Sequence, residues 1–221
     1  MRKQTLAIIG AAGHMGSGIA RNLAKAGHRI LLAGPNRDGL ETLLATIHAV
    51  TPNADVNILD CPHEASWEAD VIIPAVPYTA QAEVAARIKE VVTGKIVVSI
   101  TNPLNATYDG LVTGPMTSGA EELAALLPHS KVVKAFNTVF AADFAAPILG
   151  GKTVDCFIAG NDDQAIATVS QLVQDAGFNP VAAGKLPISR TLENMMVLLV
   201  GLAMTNSHNW VAGWKVLHQA A

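Results

Sequence analysis

Residues 5–18, TLAIIGAAGHMGSG, constrain this chain more than any other stretch. The apolar run Leu6-Ala7-Ile8-Ile9 reads as a buried parallel strand and stops at Gly10. Gly13, Gly16 and Gly18 follow, and an Ala-rich helical pattern takes over through Ala26. Strand, glycine turn and helix start form the phosphate-binding corner of a dinucleotide fold. The spacing is Gly10-x-x-Gly13-x-x-Gly16, with Ala12 where the commonest fingerprint has its second glycine. Gly10 permits the tight turn, Ala12 and Gly13 let the backbone approach a pyrophosphate, and Gly16 lets the helix pack closely on the sheet. The helix N-terminus then offers unpaired N–H groups and a partial positive charge.

The rest of the chain repeats strand and helix. Strands are expected at Arg29 to Ala33, Asp55 to Leu59, Asp70 to Val76, Lys95 to Ile100 and Lys131 to Ala135, with helices between them. This alternation implies an α/β fold, a doubly wound parallel sheet of the Rossmann NAD(P)-binding kind. Val154 to Ala159 and Pro180 to Ala183 add further strands around a helix over Asp163 to Ala176. Residues 1–185 are therefore expected to form the nucleotide-binding domain with these added strands. Residues 186–221 should form a short helical extension, with one or two helices over Ile188 to Leu217. Within it, the run Met195 to Met204 is apolar nearly all round but too short to span a membrane.

Ligands bind outside the carboxyl ends of such strands. Val76 and Pro77, Asn102 and Pro103, and Asn137 all stand at those ends. The segment Asn105 to Gly119 has no clear period and looks like a loop over the crevice. After the second strand, Ala33 to Asn36 supply no acid for a ribose 2′-OH. Asn36 and Arg37 come instead and favour NADP over NAD; the competing view has Arg37 as a solvated loop charge and Asp38 in the acidic role.

Half of the 221 residues are hydrophobic and 15% are charged, enough for a sizeable core. With a net charge of −3 and no basic block, nucleic acid is not an expected partner. The N-terminus runs straight into the first strand with no room for a signal peptide, so a cytoplasmic location is expected. Cys61 and Cys156 form no metal or disulfide framework, Cys156 reading as a buried thiol. None of the seven histidines has a metal-ligand spacing; His208 and His218 are ten residues apart. No metal is expected. His14 should meet phosphate through its backbone N–H. The helix over Thr191 to Asn206 contains Glu193 as its only ionisable side chain. An alcohol or acid dehydrogenase needs a general acid/base near the hydride site. Hydride passing between two flat redox rings does not.

The whole chain resembles the reductases that move hydride between NADP and the 8-hydroxy-5-deazaflavin coenzyme F420, with the predicted dinucleotide-binding oxidoreductases around them. The stretches are IIGAAGHMGSGIA at 8–20, GHRILLAGPNR at 27–37, VIIPAVP at 71–77, KIVVSITNPLN at 95–105, KVVKAFNTVFAADF at 131–144 and LPISRTLENM at 186–195. The cytosolic domain of membrane ferric reductases looks related too. By this resemblance Ala12, Gly13, His14 and Met15 hold the pyrophosphate, beside Gly10 and Gly16. Gly34 to Arg37 hold the 2′-phosphate, where family members usually show Ser-Arg. Val76, Asn102 and Ala135 line the adenine-to-nicotinamide groove. Family members often carry His at the position of Asn137 and Pro at that of Phe140.

The expected activity is NADP(H)-dependent hydride transfer to a flavin-like, deazaflavin or other small acceptor, with no side chain taking part covalently or as acid/base. The alternative is a non-catalytic NADP(H)-binding redox sensor. A homodimer through the C-terminal helices is expected, with Trp210 and Trp214 sharing a stripe on a second helix.

Overall fold

A computed structural model describes residues 3–217 and 219; His218 lies outside the described residues. The strands and helices alternate as β1 (Thr5–Ile9), α1 (His14–Lys25), β2 (Arg29–Ala33), α2 (Arg37–Val50), β3 (Val56–Ile58), α3 (Pro62–Glu68), β4 (Val71–Pro74), α4 (Gln81–Ile88), β5 (Ile96–Ser99), α5 (Gly119–Leu126) and β6 (Lys131–Lys134). A small hairpin, β7 (Ile148–Leu149) and β8 (Lys152–Thr153), precedes β9 (Asp155–Gly160), α6 (Asp163–Asp175), β10 (Asn179–Gly184) and α7 (Ser189–Thr205). Eight strands form one sheet in the order β10-β9-β6-β5-β4-β1-β2-β3. The first six strands are parallel, as expected. The added pair is not: β9 runs antiparallel to β6, and β10 is parallel to β9. Residues 135–154 carry the chain around the end of the sheet with no crossover helix. Without one, β9 enters in reverse.

The strands are apolar throughout because both faces of the sheet are covered. Leu6, Ile8, Ile30, Leu32, Val71 and Ile73 point into one core, shared with α1, α2 and α6. Ala7, Ile9, Leu31, Ala33 and Ile72 point into the other, beneath α3, α4 and α5. The stop read at Gly27 has a clear mechanism. Gly27 has a φ of 87°, and the His28 N–H donates to the Leu23 carbonyl at 3.1 Å. This six-to-one bond satisfies a carbonyl that α1 leaves open, and Gly177 ends α6 in the same way.

The C-terminal extension differs from expectation. Only α7 forms, and residues 206–217 contain no helix. Ser207 takes a φ of 54° and the His208 N–H reaches the Ala203 carbonyl, which closes α7. Asn209 and Trp210 are left-handed too, so no second helix begins there. The Trp stripe is therefore a packing pattern of an irregular tail. Trp210 meets Phe140 edge-on at 5.7 Å, and Trp214 packs on the cluster of Met196, Leu199, Val200 and Ala203. Asp155 anchors the tail. It accepts from Lys215 Nζ at 2.7 Å and from the Val216 N–H at 2.6 Å, while its own N–H donates to the Trp214 carbonyl.

The helical stretch Leu186–Thr205 is 20 residues long with mean hydropathy 1.2, so by length and composition alone it could cross a membrane. This corrects the shorter run read from the sequence. Its inner face is spent on the protein core, however: Leu192, Glu193, Met196, Leu199, Val200 and Ala203 are buried. Leu198, Leu202 and Met204 remain exposed on its outer side.

Asp143 lies in a short 3-10 turn, Ala141–Phe144, that packs on α1. Its carboxylate accepts the Phe140 N–H at 2.9 Å, and its other oxygen is buried without a partner. Burial pushes its pKa up from 3.8 to about 6. The folded state thus holds this proton more tightly than the unfolded chain. The stabilisation is complete below about pH 4 and is lost as pH rises through 6. Thermal unfolding from pH 4.5 to 7.5 should show Asp143→Asn gaining on the wild type as pH rises, by on the order of 2 kcal/mol across the window. Parallel profiles would show that Asp143 is not held protonated.

Candidate dinucleotide site

The site begins where β1 ends. Gly10 takes a φ of 84°, and a Cβ there would lie 2.5 Å from the Ala75 carbonyl oxygen of the neighbouring strand end. At Gly16 a Cβ would sit 2.6 Å from the Gly10 oxygen and 2.9 Å from the Ala11 Cα. These two glycines let α1 start directly against the end of β1. Gly34 passes close as well: its Cβ would be 3.5 Å from the Gly10 Cα. The Gly10 and Ala11 N–H groups both donate to the Ala33 carbonyl, which ties the turn to β2.

The N-terminus of α1 is unusually open. Its N-cap, Gly13, supplies no side-chain hydrogen bond, and its first turn contains no acidic residue. Gly13 and His14 are exposed. In contrast, Asn36 caps α2, Ser118 caps α5 and Asp162 caps α6, each through a side-chain oxygen. An anion at α1 would meet free N–H donors and the positive end of the helix dipole.

A cavity of about 640 Å³ opens beside this turn, across the carboxyl ends of β1 to β4. This is the topological switch point of the sheet, where the strand order reverses after β1. Of the residues expected at the site, Gly10, Ala12, Gly13, Gly34, Asn36, Val76 and Pro77 line the cavity. His14, Met15 and Gly16 form the first turn of α1 beside it. Asn36 uses its side-chain oxygen to cap α2 through the Gly39 N–H at 3.0 Å. Arg37 is the first residue of α2 and is engaged by two carboxylates, Glu41 at 2.8 Å and Asp60 at 2.5 Å. Both raise its pKa further, Glu41 the more. Asp38 sits in the first turn of α2.

The sequence reading missed Asp60, Glu83 and Arg87, which put charge into the cavity wall. Asp60 stands just past β3, at a carboxyl strand end, so the same rule that marked Val76 and Asn102 could have found it.

The remaining expected residues gather over β5 and β6. Asn102 and Asn137 pair: Asn102 Nδ2 donates to the Asn137 carbonyl at 2.8 Å, and Asn137 Nδ2 donates to Asn102 Oδ1 at 2.9 Å. Asn137 Nδ2 also donates to the Leu192 carbonyl of α7, and Asn137 Oδ1 is buried with no partner. The chain reaches this geometry through Phe136, a buried residue with a φ of 58°. Such a φ is strained for a bulky residue. The ring is held near Phe144, and the Phe136 N–H donates to Cys156 Sγ at 3.2 Å. Burial pushes the Cys156 thiol up to about 12, so it serves as packing and acceptor, not nucleophile. Ala135 and Pro103 are buried beside this pair, Ala135 in the main core.

Beneath the Asn pair lies a buried ion pair. Lys134 Nζ meets Glu193 Oε1 at 2.6 Å, both side chains fully buried, and also donates to the Thr101 carbonyl. Glu193 accepts the N–H groups of Gly119 and Ala120, at 3.0 and 3.3 Å, from the N-terminus of α5. Burial pulls the Lys134 pKa down, against the pull of Glu193. Nearby, Arg190 grips Glu121 with two hydrogen bonds and holds that carboxylate below its usual range. The Tyr78 hydroxyl donates to Glu122 at 2.6 Å, which raises its pKa to about 12.

Known proteins resemble this chain in sequence and in fold. A family model described as "NADP oxidoreductase coenzyme F420-dependent" matches residues 5–103. The F420-dependent NADP reductase of Methanocaldococcus jannaschii is 33% identical over 210 residues, covering 89% of this chain and 91% of that protein. The F420-dependent NADP reductase of Methanothermobacter marburgensis is 27% identical over 209 residues, covering 91% and 93%. A crystal structure from Arthrobacter sp. FB24, described as a candidate F420-dependent NADP reductase, shares the fold. It superposes with a TM-score of 0.81 at 24% identity, over 97% of this chain and all of that one.

Breaking the buried pair should be far worse than removing it. Lys134→Met and Glu193→Gln each leave one charge buried alone and should cost about 3–5 kcal/mol in denaturant unfolding. The double variant should cost clearly less than the sum. Additive losses would mean that the two side chains do not depend on one another.

Proposed function

The chain belongs to the F420-dependent NADP reductase family, and from that premise we propose that it passes a hydride between NADP(H) and a deazaflavin ring. The observation that carries the reading is the uncapped, glycine-walled start of α1. A Cβ at Gly10 would strike the Ala75 carbonyl and one at Gly16 the Gly10 oxygen, so either would push α1 away from the end of β1, and Gly13 puts no side chain over the helix start. These residues fit a pyrophosphate, with Ala12, His14 and Met15 giving backbone donors and Gly13, whose own N–H donates to the Gly10 carbonyl at 3.0 Å, letting the ligand approach closely. Val76 and Pro77 would line the groove beyond. Asn102, half-buried, would meet the nicotinamide end, and the buried Asn137 would hold it in place through their paired side chains. When bound, the nicotinamide supplies or accepts the hydride. The protein orients the ring and excludes water.

No acid/base is asked of the chain. The single ionisable side chain of residues 191–206, Glu193, is fully buried and committed to Lys134 and the start of α5. This suits ring-to-ring hydride transfer and argues against an alcohol or acid substrate. NADPH oxidation measured with deazaflavin, flavin and quinone acceptors tests the proposal. Turnover with the deazaflavin is expected. Tight NADPH binding without turnover on any acceptor would overturn it in favour of a redox sensor.

The assembly we propose is a homodimer along the outer face of α7. The tail covers one side of that helix and leaves Leu198, Leu202 and Met204 exposed at 54%, 40% and 57%. A second copy is the simplest cover for such a stripe. Sedimentation equilibrium should give a dimer at micromolar concentration, and Leu198→Glu should yield monomers; a wild-type monomer would sink the proposal.

A further inference from the structure

Arg37 stands where a 2′-phosphate reader belongs, yet its guanidinium is already engaged. Nε donates to Glu41 and Nη1 to Asp60. The two carboxylates are not equivalent. Neither Arg37 nor Glu41, one turn along α2, lines the cavity itself. Asp60 comes from the far side, past the end of β3, and does line it. Glu83 and Arg87 face the same cavity from α4, and Asp38 sits beside Arg37 in the first turn of α2.

The Asp60 side chain is 85% exposed, so its pair with Arg37 is a solvent-facing one, and such pairs contribute little. A phosphate carries up to two negative charges and forms stronger, charge-assisted bonds to a guanidinium. It can therefore take Arg37 from Asp60, and Nη2 and the second Nη1 hydrogen are still available to it. The exchange leaves Asp60 unpaired, with the phosphate a few ångströms from a carboxylate. NADH, which has no 2′-phosphate, leaves the Arg37–Asp60 pair intact.

We propose that Asp60 is a specificity-determining residue of this site: it competes with the cofactor 2′-phosphate for Arg37 and so sets how strongly NADPH is preferred over NADH. The inference rests on the reading of Arg37 as the 2′-phosphate contact. Asp60 acts through Arg37 and through direct repulsion. It does not touch the redox end of the cofactor.

Equilibrium binding of NADPH and NADH, followed by calorimetry on the full chain, tests it with Asp60→Asn, Arg37→Gln and the double variant. Asp60→Asn should bind NADPH roughly three- to tenfold more tightly, with NADH changed by less than about twofold. The gain should shrink as salt is raised, because both groups are solvent-exposed. Arg37→Gln should weaken NADPH roughly tenfold, and the Asp60→Asn gain should fall by at least half in that background. If Arg37→Gln weakens NADPH while Asp60→Asn leaves it unchanged, the role of Asp60 is overturned and the Arg37 reading stands. If Arg37→Gln weakens both cofactors equally, the Arg37 reading fails and this inference falls with it. If Asp60→Asn weakens NADH, Asp60 holds the ribose hydroxyls directly, which also overturns the competition. The exposure of Asp60 means that the variant should unfold at the wild-type temperature.

Discussion

Everything in the nucleotide half depends on how closely α1 is allowed to approach β1. The contact is backbone on backbone. Gly16 faces the Gly10 oxygen and the Ala11 backbone at distances that no side chain tolerates. That approach aims the helix N-terminus at the strand ends instead of at bulk water. The start of α2 is close too: a Cβ at Gly39 would lie 2.6 Å from Asn36 Nδ2 and 3.0 Å from the Ala12 Cβ. The apolar strand residues make the sheet, but they would make an equally good sheet with the helix an ångström further out. Close packing therefore fixes the direction of the helix dipole, and with it the chemistry the site can attract.

A second constraint acts past the carboxyl ends of β5 and β6. Lys134 on β6, Thr101 past β5, Glu193 on α7 and the first N–H groups of α5 form one closed set of hydrogen bonds. The Asn102–Asn137 pair lies directly over it, and Asn137 is also tied to the carbonyl of Leu192, the residue before Glu193. A buried ion pair gains little over an apolar replacement, so net stability is a weak reason for it. What it does supply is position: four segments can pack in only one register without leaving a charge unpaired. That rigidity suits the proposed task of holding a flat ring in a fixed orientation.

The sequence made the sheet legible because strands buried on both faces are continuous apolar runs, and the turns between them carry glycine or proline. RILLA and VIIP could hardly have been misread. The reversal of β9 was not legible, because strand direction depends on how residues 135–154 wrap the sheet edge, not on composition. The tail misled for a related reason. Two tryptophans four apart imply a helical stripe, but three left-handed residues from Ser207 to Trp210 prevent the helix, and the rings pack from an irregular chain. At the site, the glycine corner was readable since its chemistry is local. Lys134 and Glu193 are 59 residues apart, and nothing in either neighbourhood names the other.

The helix starts show how the fold distributes charge. Asn36, Ser118 and Asp162 occupy three of them, and α3 and α4 carry Glu64 and Glu83 in their first turns. The start of α5 takes the Glu193 carboxylate as well. The helix α7 grows out of the 3-10 turn Leu186–Ile188, so its first N–H groups continue an existing helical path. That leaves α1 with a glycine cap, no first-turn acid and an exposed mouth. A glycine cap gives up a few tenths of a kcal/mol relative to a good side-chain cap. A Ser, Asp or Asn at position 13 would recover it, but its side-chain oxygen would then occupy the N–H groups that an anion needs. The same exchange appears at Gly10, where a positive φ confines the position to glycine. Stability is given up in both places at the one point on the sheet where the strand order reverses and a ligand can enter.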